Sequence, residues 1–582
     1  MKFSVLAVDY DGTIAAGDTL DPDVGRALAD LRRRDIVVVL VTGRIMEDLR
    51  RVTGGLHFVD AVVAENGAVL EFPDTGYSTS AAPAPPSTLL AALTDAGIPH
   101  QAGRVIVEAD ARDAPRILAI LQRLELPLVL QFNRGRVMVL PQAISKATGL
   151  RQALTVLRLS PHNAVGIGDA ENDHELLRAC EVGVAVAWGS EGLKAASDYV
   201  LSGKGPADVA PFIRALANRR RVPVPVTTRR QLLLGHRDDG RPLSLAVRGR
   251  NVLVAGDPRS GKSWVTGLLC EQLILDGYCL CIVDPEGDYT SLEALPGVVV
   301  FGGADPLPRP RDLVRALRHP DVSVVVDLSH TAHDDKVDYL RALLPALSTL
   351  RRQTGLPHRI VVDEAHYFLH DADGPELLDL DLNGYTLVTY RASKIHPDIL
   401  AATEVIVVTC ESDPDEARAL LGLCRGCDGD MSETDWVRQL GTLVVGEAAT
   451  LPITTEAEGK ILRLRLAPRL TPHVRHLAKY IDIPVPAGRR FVFSLAGQPT
   501  GQQARTLREL IVHLAEVPAQ AVEEHVRRGD FSRWIARVFG DYPLAKSVGQ
   551  IEADHAGRAG GVGDVVSSLG QAVRARYDFV EP

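Results

Sequence analysis

The sequence predicts a multidomain α/β protein, and three observations predict it. Apolar runs that read as strands alternate with amphipathic stretches that read as helices near the N-terminus, the pattern of a parallel, doubly wound sheet. Between about Pro83 and Val139 that rhythm changes to shorter elements, as an inserted lid would. Further on, NVLVAGDPRSGKSWVTGLLCEQL reads as a strand, a glycine-rich loop and a helix, opening a second α/β domain.

In the first domain FSVLAVD, IVVVLVTG, AVVAENGA and NAVGIGDA are the expected strands, with PDVGRALADLRRR one of the helices between them. The insert offers a helix at STLLAALTDAG, a strand at RVIVEAD and a helix at APRILAILQRL. LPLVLQFN and RVMVL then form a hairpin around Asn133, Arg134 and Gly135. Residues 217–231, ANRRRVPVPVTTRRQ, lack apolar periodicity and read as a solvated linker. The second domain, about 232–467, offers strands at NVLVAG, YCLCIVD, VSVVVDL, RIVVDEA, YTLVTY and EVIVVTC. Residues 468–582 look separate and mainly helical, as in TLRELIVHLAEV and FSRWIARVF. The stripe Phe531, Trp534, Ile535 and Val538 has helical spacing and is expected in a core. These boundaries leave 1–216 for the first domain, with its lid at about 83–140.

At 582 residues the chain exceeds what one core can hold, and its 46% apolar and 24% charged residues are ordinary for a globular protein. A formal charge of −10 argues against a chain that binds polyanions overall, although a local basic groove is compatible with it. No apolar run reaches membrane-spanning length, and the N-terminus enters a strand at once, so neither a membrane segment nor a signal peptide is expected. Seven cysteines, an odd count spread along the chain, fit reduced thiols in a cytoplasm. Cys424 and Cys427 lack a second ligand pair at zinc spacing, and His473, His476 and His525 lack ligand-like neighbours.

The first candidate site begins at DYDGT, where an apolar strand delivers two carboxylates to its own tip. Asp9 can attack a phosphoryl group and form an aspartyl-phosphate, with a divalent cation screening the two anions. Asp11, on the same side of the extended chain, can protonate the leaving oxygen and later activate water. Thr42 and Gly43 of VTGR offer a hydroxyl and a backbone N–H to a phosphate oxygen. Lys146, opening a helix in PQAISKATGL, can neutralise developing charge. GIGDAEND supplies Asp169 as a metal ligand, with Asn172 and Asp173 supporting it; Asp9, Asp11, Asp169 and Asp173 are the metal set.

The order DYDGT, VTGR, lysine, GDAEND resembles the haloacid dehalogenase superfamily, and the ENGA stretch at Glu65–Ala68 and the placed insert resemble its Cof-type phosphatase branch. The resemblance covers about residues 1–215. It implies a Rossmann-like phosphatase domain with a substrate-selecting lid, Mg2+ as cofactor, and a small phosphorylated metabolite of the sugar or polyol class as substrate.

The second candidate site is the loop Gly256, Asp257, Pro258, Arg259, Ser260, Gly261, Lys262 and Ser263, which fits G-x-x-x-x-G-K-[ST]. Its N–H groups can wrap the phosphates of ATP, with Lys262 on the β and γ oxygens and Ser263 on magnesium. RIVVDEAHYFL adds Asp363 to the magnesium shell and Glu364 to orient attacking water. With LLLGHRDDGRPL, IVDPEGDY and VVDLSH, these motifs resemble the HerA/FtsK-type P-loop ATPases. That likeness implies a polar sensor at Thr389, a homo-oligomer, and Arg391 contacting a neighbouring subunit's nucleotide. The expectation is a cytoplasmic two-site hydrolase. Its rivals are a nucleic-acid enzyme pairing a DNA translocase with an end-phosphatase, and a nucleotide-sensing scaffold.

Overall fold

The computed structural model describes residues 2–133, 135–218, 230–246, 249–370, 374–424, 433–451, 461–472, 485, 487–539, 541–556 and 561–577. The chain divides into two compact units. One comprises Met1–Val283, Leu292–Val326 and Thr331–Thr471; the other comprises Asp284–Ser291, Asp327–His330 and Pro472–Pro582. Most of the expected linker, together with Arg134, Cys427, His473 and His476, lies outside the described residues. Among the described residues, no helix is long and apolar enough to cross a membrane.

The N-terminal sheet has eight strands in the order Tyr199–Leu201, Val182–Val186, Ala164–Gly168, Val5–Asp9, Val37–Val41, Ala61–Ala64, Val69–Phe72 and Tyr77–Ser80. The first six run parallel and the last two antiparallel. Val5–Asp9 is central and buried along its whole length, which is why it is uninterrupted by polar residues until its final carboxylate. The helix Pro22–Arg33 starts where Asp21 accepts from the N–H groups of Asp23 and Val24, with proline in its first turn. The helix Lys146–Leu157 starts in a capping box between Ser145 and Thr148, which fixes Lys146 at its first position.

The insert expected as the lid is a four-stranded antiparallel sheet, ordered Leu128–Asn133, Arg136–Pro141, Val107–Asp110 and His100–Ala102, with helices Ser87–Asp95 and Ala114–Arg123. The expected lid elements are all present, and the short strand His100–Ala102 is added to them.

The second sheet has eleven strands. Its centre is parallel, in the order Val405–Val408, Val252–Ala255, Tyr385–Thr389, Arg359–Val362 and Leu280–Asp284. Glu447–Leu451 and Leu462–Leu466 extend it antiparallel on one side, followed by Leu232–His236 and Pro242–Leu245. Residues 485–577 hold a β-hairpin, Phe491–Leu495 with Gln498–Ala504, besides helices, so the helical expectation for this region omitted a sheet element. Phe531, Trp534 and Ile535 are buried in its core and Val538 packs against it. His525 accepts from the Ser494 N–H at 2.9 Å and lies 2.7 Å from Asp530, so its ring nitrogens are occupied in packing this region.

The N-terminal sheet and the eleven-stranded sheet meet through buried polar groups. Asn163, just before the strand Ala164–Gly168, lies 3.2 Å from His358, just before the strand Arg359–Val362. The Nδ1 of His358 accepts from the Cys279 N–H at 2.8 Å, which leaves Nε2 to donate to Asn163. Glu181, fully buried, accepts from Tyr278 at 3.0 Å and pairs with His162 at the same distance.

Burial holds the His358 imidazole well below its usual 6.5, and the neighbouring His162 adds to this. Above that value neither folded nor unfolded chain binds the proton; below it the unfolded chain protonates first, so stability falls as pH falls. The expected loss approaches about 1.4 kcal/mol per pH unit for this one proton. Denaturant titrations from pH 7 to 5 should therefore show a shallower pH dependence in His358→Gln than in the wild type. Parallel curves would contradict the assignment.

Candidate active site

Adjacent parallel strands bring their C-terminal tips together, and in the first sheet this unites motifs far apart in sequence. Val5–Asp9 lies between Val37–Val41 and Ala164–Gly168, so Asp9, Thr42 and Asp169 share one edge. Lys146 joins them from its helix start: its Nζ donates to Asp9 Oδ1 and to Asp173 Oδ1, both at 2.6 Å. Thr13 Oγ1 donates to Asp9 Oδ2 at 3.1 Å and lies 3.4 Å from Asp169 Oδ1. All six side chains are buried.

Burial pushes the Asp9 carboxyl up to about 7, against the pull of Lys146. Burial would also strip the lysine of its proton, but Asp173 and Asp9 outweigh it and hold the ammonium above its ordinary range. Three carboxylates face one ammonium, leaving excess negative charge in a dry site. Oxygen atoms of Asp9, Asp169 and Asp173 lie within 4.8 Å of one another, a hard-donor set that fits Mg2+. Asp173 is already committed elsewhere: its Oδ2 accepts from the N–H groups of Asp169 and Ala170 at 3.0 and 3.1 Å. Its geometry therefore suits orienting Lys146 and the Asp169 loop.

Asp11 departs from the expected metal set, because its side chain is not in that cluster. Arg44 takes it instead, in a two-pronged ion pair with Nε at 2.8 Å from Oδ2 and Nη2 at 2.6 Å from Oδ1. Arg44 also reaches Asp18 and Asp48, each at 2.7 Å. The fork occupies both oxygens of Asp11, so donating a proton to a leaving group requires that fork to loosen. A cleft of about 620 Å³ opens here, lined by Asp11, Arg44, Asp169, Trp188 and Lys204 among others.

The lid contributes amides. Asn66 Nδ2 donates to Gln131 Oε1 of the lid at 2.6 Å, and Asn172 Nδ2 donates to Asn66 Oδ1 at 3.3 Å. The Oδ1 atoms of Asn133 and Asn172 are buried without a hydrogen-bond partner among the described residues. A side chain at Gly43 would meet Asn172, Met138 and Asn133 at 3.5–3.8 Å, so these groups close over the tip of the second motif.

The N-terminal region matches the haloacid dehalogenase-like hydrolase family over residues 6–111 and 98–210. The N-terminal domain is a haloacid dehalogenase-like hydrolase. Its similarity extends to a phosphoglycolate phosphatase of Methanosarcina acetivorans, 27% identical over 240 residues, covering 37% of this chain and 98% of the relative. A phosphoglycolate phosphatase of Methanopyrus kandleri is 28% identical over 243 residues, covering 37% and 97%. A solved haloacid dehalogenase-like hydrolase from Bacteroides thetaiotaomicron aligns with a TM-score of 0.33 at 17% identity, covering 36% of this chain and all of that one (100%). The phosphatase type of this hydrolase domain agrees with the Asp9, Lys146 and Asp169 arrangement.

Sequence reasoning missed the partnerships that Arg44 and Asn66 make here, and it gave Glu65 no contacts of its own. Arg44 stands inside the quoted VTGR, and Glu65 and Asn66 inside ENGA, so the residues were visible but their partners were not.

The second candidate site lies on the second sheet. The loop Gly256–Ser263 joins the strand Val252–Ala255 to the helix Lys262–Leu275. Gly256 has φ 145°, and a Cβ there would come within 2.2 Å of Thr409 Oγ1, so the loop requires glycine at its entry. Lys262 Nζ donates to the Asp257 carbonyl at 2.9 Å, folded back on its own loop. Asp363 is buried at the tip of the strand Arg359–Val362, and Glu364 follows in a left-handed conformation, φ 47°. The strand ending in Thr389 lies between the loop strand and the Asp363 strand, and Thr389 Oγ1 is 3.0 Å from His366 Nδ1. Burial, then the charges of Lys262 and Arg391, push that imidazole down to about 3. Among the described residues, the carboxylate cluster suited to a metal is that of Asp9, and Asp363 does not belong to it.

Proposed function

We propose that the N-terminal domain is a Mg2+-dependent phosphohydrolase that works through an aspartyl-phosphate on Asp9. The observation that carries this is the buried meeting of Asp9, Lys146 and Asp169 at the tips of adjacent strands. Asp9, Asp169 and the loop that Asp173 braces would hold Mg2+, which supplies charge screening between nucleophile and phosphoryl group. The carboxylate of Asp9 attacks phosphorus, and the bond to the leaving oxygen breaks as Asp11 delivers a proton to it. Lys146 and the Thr42 hydroxyl hold the phosphoryl oxygens. Asp11, now ionised and again attractive to Arg44, takes a proton from water, whose oxygen attacks phosphorus, releases phosphate and restores Asp9.

The names of the sequence relatives point to phosphoglycolate, whose leaving group carries a carboxylate. Where lid and core meet, the described residues offer the amides Gln131 and Asn133 from the lid and Asn66 and Asn172 from the core. Amides suit the hydroxyls of a sugar or polyol leaving group better than a carboxylate, which calls for a cation. A panel of polyol, sugar and phosphoglycolate substrates tests this reading. The expected result is at least about tenfold higher kcat/KM for a hydroxylated leaving group than for phosphoglycolate, with activity lost on chelation of Mg2+. Preference for phosphoglycolate would overturn the substrate reading, and full activity under chelation would overturn the metal's role.

A second reading concerns the second sheet: the loop Gly256–Ser263 binds the phosphates of ATP, with Asp363 and Glu364 as its acidic partners. The strand–loop–helix placement and the Thr389 strand lying between those of the two motifs favour it.

A further inference from the structure

The turn Glu65–Gly67 is built against conformational preference. Glu65, Asn66 and Gly67 have φ of 51°, 56° and 106°, three successive left-handed residues, and all three are buried. A Cβ at Gly67 would lie 2.0 Å from the Ser145 carbonyl, so the turn presses on the start of the helix that carries Lys146. The N–H groups of Glu65 and Asn66 donate to the carbonyls of Arg44 and Thr42 at 2.9 and 3.0 Å. One strained turn thus touches the backbone of two catalytic motifs.

Its third connection is to the lid. Glu65 Oε1 accepts from the Arg104 N–H at 2.9 Å, and Oε2 accepts from Val105 and Ile106 at 2.8 and 3.2 Å. Val105 and Ile106 belong to the lid's loop, yet their side chains are buried in the core cluster of the N-terminal sheet. A fully buried carboxylate is a costly way to fasten a loop permanently, since apolar packing would hold it without desolvating a charge. It is a good way to fasten one reversibly. When the loop lifts, the exposed carboxylate is well solvated, and when it returns, three oriented N–H dipoles replace the water.

We infer that Glu65 is the clamp that docks the lid, a positioning residue that holds Gln131 against Asn66 and Asn133 beside Gly43 while the phosphoryl group is transferred. This inference rests on the phosphohydrolase reading. Because Asn66 follows Glu65 directly and donates to Gln131, releasing the clamp also loosens the amide bridge from lid to core.

The isosteric variant Glu65→Gln tests it, because it keeps volume but turns one acceptor into a donor facing an N–H. Hydrogen exchange at 104–106 and in Leu128–Asn133 should accelerate at least about tenfold, the equivalent of one lost charge-assisted bond, with Val5–Asp9 unchanged. With a sugar phosphate, KM should rise about tenfold and kcat change less than about threefold. Gly103→Ala is the second variant: its Cβ would meet the Glu65 carboxylate at 2.6 Å, pushing the loop off from the other side, and it should give the same pattern. Unchanged exchange at 104–106 in both variants would overturn the clamp, as would acceleration spread evenly through the whole sheet. A wild type that hydrolyses no phosphate monoester would overturn the parent reading instead.

Discussion

Asp9→Asn is expected to reduce Mg2+-dependent phosphate release from an aryl phosphate by more than about 10⁴-fold, the scale on which removing a covalent nucleophile acts. The amide keeps the shape of the carboxylate, its oxygen can still accept from Lys146 and its NH2 can donate to the Thr13 hydroxyl, so the sheet should fold. What it loses is the anionic oxygen that attacks phosphorus. The substitution also removes one of the three negative charges that Lys146 balances, so a fall in activity cannot be ascribed to an unpaired lysine: Asp173 still holds it at 2.6 Å. The measurement is steady-state phosphate release by the purified, folded variant. Activity within tenfold of wild type would contradict the nucleophile assignment.

Lys262→Ala is the second large effect. On the proposed nucleotide reading this ammonium leaves the Asp257 carbonyl and moves to the β and γ phosphates, and its removal should lower ATP hydrolysis by at least about 100-fold. The two sites share no side chain: Lys146 and Asp169 serve the first, Lys262 and Asp363 the second. Lys262→Ala should therefore retain phosphatase activity measured without ATP, and Asp9→Asn should retain ATP hydrolysis. The check is a cross-comparison of both activities in both variants. If Asp9→Asn alone eliminates ATP hydrolysis, the nucleotide was being cleaved at the first site and the second reading fails.

Much of the first site was legible because its chemistry sits at strand tips. Val5–Val8 is apolar without a break, so Asp9 had to fall at the end of a buried strand, and the VTGR and GDAEND motifs repeat that arrangement. Lys146 could be placed from its order in the chain and the helix that follows it. Partnerships were harder to foresee. Nothing in VTGR tells whether Arg44 faces substrate or Asp11, because that depends on how two loops fold towards each other. Glu65 was visible as part of ENGA, but its function is defined by N–H groups some forty positions away, and backbone donors leave no trace in a sequence.

The missed strands share a physical cause. Tyr77–Ser80 is a short edge strand whose side chains are mostly exposed, so it carries no apolar alternation. Glu447–Leu451 and Leu462–Leu466 are paired antiparallel with each other across a stretch of sequence without apolar periodicity, and the hairpin at Phe491–Leu495 lies next to strongly helical segments. The parallel centres of both sheets, buried on both faces, were the most readable parts.

The central claim is covalent chemistry at Asp9, and trapping the intermediate tests it most directly. Enzyme turning over a phosphate monoester with Mg2+ is quenched in acid, digested and mapped by mass spectrometry. The expected result is a phosphate adduct on the peptide carrying Asp9, absent from Asp9→Asn and, with an aryl phosphate whose phenolate leaves without a proton, enriched in Asp11→Asn, which lacks the base that activates water. An active enzyme that never carries phosphate on that peptide, or carries it on a different side chain, would show that Asp9 is not the nucleophile.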